Sequence, residues 1–68
     1  MRVKYFPDTD TALIEFTDNE VSETREISEN IYVDLDRSAN LVSMTIEHAR
    51  ANARLEEFSY REVSSPSL

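Results

Sequence analysis

Few side chains in this sequence can do chemistry. The chain has one histidine, His48, and no cysteine. Histidine trades protons near neutral pH, which makes His48 the natural candidate for a general base. A metal would need carboxylates converging on it, and only Glu47 stands beside it. A surface or helix-capping role is the simpler assignment. Asp34-Leu35-Asp36-Arg37-Ser38-Ala39-Asn40 puts oxygen-bearing side chains at alternate positions, as the opening of a calcium loop does. Against that reading, the glycine position of such a loop holds Ala39, its bidentate glutamate position holds Thr45, and the flanks read as strands. Asp8 and Asp10 share a turn, where exposed carboxylates bond backbone amides rather than exchange protons. Ser22, Ser28, Ser38 and Ser43 carry hydroxyls, and none lies in a nucleophile elbow. Glycine is absent, which excludes the phosphate-cradling loops that need its backbone freedom.

The elements that must position these groups follow from periodicity. Arg2 to Phe6 is rich in β-formers and ends at Pro7-Asp8-Thr9-Asp10, a turn signal. In Ala12 to Thr17, Ala12, Ile14 and Phe16 share one face at period two. Val21 to Ile27 is polar, as a charged edge strand is. Ile31 to Asp36 alternates cleanly, with Ile31, Val33 and Leu35 on one side and Tyr32, Asp34 and Asp36 on the other. Leu41 to Glu47 puts Val42, Met44 and Ile46 on one face. Without glycine, the turn between these last two strands needs a residue that tolerates the left-handed region, and Asn40 is the candidate. From His48 to Phe58 the composition shifts to helix formers, and Ala51, Leu55 and Phe58 form an apolar stripe. The expected architecture is α+β: an antiparallel β-meander of four or five strands with one C-terminal helix packed on one face, over Ile14, Val33 and Met44. One domain is expected over residues 1–63, with a disordered tail at 64–68.

Charge and hydropathy narrow the partners. Seven basic residues oppose fourteen acidic ones, a net charge of −7. Such a surface repels nucleic acid and anionic lipid, while a basic protein partner stays open. No apolar run reaches the roughly 20 residues that span a bilayer. The N-terminus lacks the apolar stretch of a signal peptide. These features, with the lack of cysteine, place the protein in the cytoplasm.

Two stretches resemble a known family. Tyr5-Phe6-Pro7-Asp8-Thr9-Asp10-Thr11-Ala12-Leu13-Ile14 is similar to the opening of small bacterial proteins grouped as domain of unknown function 2283. Ile31 to Asp36 and Asn40 to Glu47 resemble a later segment of the same family. Asn40 stands at its turn glycine, and Ser43 at a glycine within its last strand. The resemblance implies a small β-rich fold and a prokaryotic source. It brings no activity, cofactor or catalytic residue with it.

The functional expectation is a non-catalytic protein-interaction module, acting as a homodimer or with another protein, with no cofactor. Leu13, Tyr32 and Leu41 are read as apolar residues on the sheet face away from the helix, and so as the interaction face. The alternative is a small-ligand or divalent-cation binding domain, or an enzyme, using Asp34, Asp36 and His48.

Overall fold

The computed structural model describes residues 1–55 and 57–64. Five strands form one sheet: β1 (Arg2–Phe6), β2 (Thr11–Glu15), β3 (Glu23–Ser28), β4 (Ile31–Leu35) and β5 (Leu41–Glu47). A single helical turn, α1 (Ala49–Asn52), follows β5. Every neighbouring pair is antiparallel, and the strand order is β1-β2-β5-β4-β3. The α+β class is that expected, and the antiparallel strands number five of the four or five expected. The order shows how they are joined: β1–β2 is a hairpin, β3–β4–β5 is a meander, and β5 pairs with both.

The connection from β2 to β3 explains this order. Phe16 N and Thr17 N both donate to Val42 O, at 2.8 and 3.2 Å, and Ser22 N donates to Leu35 O at 2.8 Å. The chain therefore crosses the end of β5 and then of β4, and re-enters as the far edge strand. That edge is exposed along its whole length and bears Glu23, Arg25 and Glu26. Charges on an open edge discourage pairing with other chains. A register shift between Glu26 and Ser28 leaves Ile27 unpaired.

Among the described residues, three non-glycine residues have positive φ: Asp10 (54°), Ala39 (65°) and His48 (52°). The left-handed residue of the β4–β5 turn is thus Ala39, not Asn40. Asn40 is occupied otherwise: its carbonyl accepts from Asp36 N at 3.0 Å, and its own N–H donates to Asp36 Oδ1 at 2.9 Å. Ala39 takes the strained position because both its neighbours are engaged by the Asp36 carboxylate.

The helix is much shorter than the His48–Phe58 segment expected. It ends at Asn52, and Ala53 is extended at φ −153° and ψ 155°. Leu55 and Phe58 therefore do not continue a helical stripe. The first turn has no acidic residue and its N-cap makes no side-chain bond, so the segment itself supplies little to offset the cost of nucleation. The Asn52 side chain also bonds back to the carbonyls of His48 (3.0 Å) and Glu47 (3.3 Å), anchoring the turn to the end of β5. Ala49 is fully buried. Glu56, and the expected disordered tail apart from Ser64, lie outside the described residues.

The buried apolar core among the described residues is small: Ala12, Leu35, Val42 and Ala49. Ile14, Val33 and Met44, which the helix was expected to cover, are only half-buried.

Candidate functional site

Directly opposed residues of an antiparallel pair share a face, so the register defines both surfaces of the sheet. One central row reads Val3, Ile14, Met44, Val33 and Arg25 from edge to edge, and the next reads Tyr5, Ala12, Ile46, Ile31 and Ser28. This is an apolar face. The opposite face carries the row Lys4, Leu13, Thr45, Tyr32 and Glu26, beside Arg2, Glu15, Ser43, Asp34 and Thr24. It is polar, and its charges are organised. Lys4 Nζ lies 3.1 Å from Glu15 Oε1, with Arg2 Nε 3.6 Å from the same oxygen. The Lys4 contact holds the Glu15 carboxyl below the usual carboxylate range. Tyr32 has its phenol pushed up, chiefly by Glu47, then by loss of solvent and by Glu26 and Glu29.

The proposed interaction residues fall as follows. Leu13 and Tyr32 are half-buried and lie two strands apart in one row with Thr45 between them. Leu41 is the partner of Leu35, reached through a register shift between Asp34 and Leu35. The β5 member of the Leu13–Tyr32 row is Thr45, so Leu41, four residues earlier in β5, lies outside that row. Val3, Ile14, Met44 and Val33, with Ile46 and Ile31, lie on the other face.

Asp34, Asp36 and His48 are not brought together. Asp34 is opposite Ser43, five residues before His48, which is roughly 16 Å along a strand. Asp36 lies farther still, at the β4–β5 turn. Both carboxylates are engaged internally. Asp34 accepts the hydroxyls of Thr24 and Ser43, each at 2.6 Å. Asp36 accepts Ser38 N and Asn40 N on Oδ1 and Asn19 Nδ2 on Oδ2, at 2.9 to 3.0 Å. The Asn40 amide is the main reason its carboxyl titrates below the usual range. An open depression of about 350 Å³ lies beside Asp36, lined by Asn19, Glu20, Val21, Ser22, Arg37 and Ser38. His48 hydrogen-bonds Asn30 Oδ1 at 3.0 Å, tying the β3–β4 turn to the end of β5. Among the described residues, no three His, Cys, Asp or Glu side chains cluster as a metal site requires.

The densest polar arrangement is one that the spacing of residues did not announce. Tyr5 donates its hydroxyl to Asp10 Oδ1 at 2.6 Å. The same oxygen accepts Arg50 N at 3.2 Å, and Asp10 O accepts Ala49 N at 2.8 Å. The Arg50 guanidinium lies 4.9 Å from the centroid of the Tyr5 ring, within cation–π range. The Tyr5 hydroxyl lowers the Asp10 carboxyl, and Asp10 in turn raises the Tyr5 phenol. This arrangement clamps α1 onto the first hairpin, at the end of the apolar face. The one visible signal for it was Asp10 itself, read as a turn residue; its contact with Arg50 spans forty residues.

The fold and its surfaces thus define a small α+β sheet domain with one polar and one open apolar face. The profile of a family described as proteins of unknown function, DUF2283, matches residues 2–50. The chain belongs to that family. No curated protein matches the chain, and no solved structure does. No helix among the described residues is long and apolar enough to cross a membrane.

Proposed function

We propose that this protein is a non-catalytic interaction module of residues 1–63, acting in the cytoplasm, whose apolar sheet face is covered by a second copy of the chain. One observation carries the reading. Ile14, Met44 and Val33 form a continuous central row on a face that α1 leaves open, while the buried apolar core among the described residues is four side chains. A sheet is stable in water when its apolar face packs against a second layer. A chain of this size has little other apolar burial to rely on. The net charge of −7 argues against nucleic acid as the partner.

The partner belongs on the Ile14–Met44–Val33 side. The Leu13–Tyr32 row is broken by Thr45 and bracketed by Lys4 and Glu26, as a solvated surface is. The test is the solution mass over a dilution series, for the native chain and for Met44→Asp, Val3→Asp and Tyr32→Asp. A dimer that Met44→Asp and Val3→Asp weaken, and that Tyr32→Asp leaves intact, supports this face. Val3 is on an edge strand and 43% exposed, so its substitution is compatible with folding. Loss of the dimer in Tyr32→Asp alone moves the interface to the Leu13–Tyr32 side. A native chain that is monomeric throughout overturns the reading.

A further inference from the structure

We infer that the segment following α1 is an arm that completes the dimer, Phe58 and Tyr60 of each copy lying on the apolar sheet face of the other. The inference rests on the dimer reading above and adds the part of the chain that makes such a dimer stable. Three observations lead to it.

The first is the path of the chain. Residues 53–55 and 57–64 form neither helix nor strand, yet they carry Phe58, Tyr60 and Val63, which are 61%, 78% and 74% exposed. These are among the most exposed large apolar side chains of the described residues. The second is the shape. The radius of gyration is 14.0 Å and the longest dimension 45 Å. A compact chain of this length has a radius near 11 Å, and five strands side by side are about 24 Å wide. The arm thus reaches beyond the sheet that it follows.

The third is area. Five strands by about five residues give a face of roughly 400 Å². Stable interfaces bury about 800 Å² per partner. The sheet face alone falls short by about half. A buried aromatic side chain contributes about 150–250 Å². Phe58 and Tyr60, even discounted for what is already covered, add about 300 Å² from each copy. The exchange is reciprocal, so every arm finds a face and the assembly closes at two.

The test compares the full-length native chain with a full-length Phe58→Ser, Tyr60→Ser variant by sedimentation, with circular dichroism to verify the sheet. Both residues are exposed, so the sheet is expected to be unchanged. The expected result is a dimer at least about tenfold weaker in the variant. In a mixed sample of differently labelled copies, nuclear Overhauser contacts are expected between the Tyr60 ring of one copy and the Met44 methyl of the other. Equal dimer strength in native chain and variant overturns the arm while leaving the sheet-face dimer standing. Contacts confined within one copy also overturn it. A native chain that never dimerises overturns the arm and the dimer reading together.

Discussion

At the scale of single residues, Asp10, Asp36 and Ala39 illustrate how a chain without glycine closes its turns. Asp10 tolerates φ 54° because its short carboxylate finds donors close by, in Tyr5 and Arg50. Ala39 has no such compensation at φ 65°, and its Cβ bears the steric cost of the left-handed region. Ala39→Gly is therefore expected to raise stability by about 1 kcal/mol, a gain of about 4–8 °C in melting temperature for a domain this small. Thermal unfolding checks it; no gain would mean that this turn carries no strain. The carboxylates give a second expectation. Asp10, Asp36, Glu15 and Glu23 all titrate below their ordinary values when folded. The unfolded chain then binds protons more readily, so their contribution is fully present above the ordinary carboxylate range. It fades as the pH falls through the lowered values. Urea midpoints are expected to drop steadily from about pH 5 downward, and Asp36→Asn is expected to flatten that slope.

At the scale of elements, the central strand β5 organises the sheet. Its Ser43 is buried and donates to Asp34, which also accepts from Thr24. One carboxylate thus joins β3, β4 and β5 in a single row. Ser43→Ala is expected to cost about 1 kcal/mol, read from the denaturant midpoint at unchanged slope. No change would show that water replaces the hydroxyl. The family resemblance has glycine at this position, where a side chain here serves as a cross-strand tie. The helix shows the opposite case. Good helix formers run from Ala49 to Phe58, yet among the described residues only Ala49–Asn52, the turn held by Asp10, is helical, because propensity alone does not outweigh nucleation beyond that hold.

At the scale of the whole molecule, the two sheet faces and the net charge act together. Two copies that each carry a charge of −7 repel one another, while an apolar interface is indifferent to that repulsion at contact. Raising the salt from low to physiological ionic strength, where the Debye length is about 8 Å, is expected to strengthen dimerisation. Light scattering at several salt concentrations checks the sign. Dimerisation weakened by salt would point to charge pairs at the contact instead of the Ile14–Met44–Val33 row.

Alternation at period two, read along the chain, determined much of this protein. It marked β4 and β5, placed Val33 and Met44 on one face, and assigned β3 to a charged edge. It did so because a strand must alternate wherever one face meets water. Composition fixed the want of glycine. Three matters were decided only by the tertiary structure. Which residue takes the left-handed turn depends on the hydrogen bonds of Asp36, not on the propensity of Asn40. Asp10 meets Arg50 through the pairing of β2 with β5, a contact between distant parts of the chain. And α1 stops at Asn52, so the Ile14, Val33 and Met44 surface that propensity assigned to the helix is only half-buried.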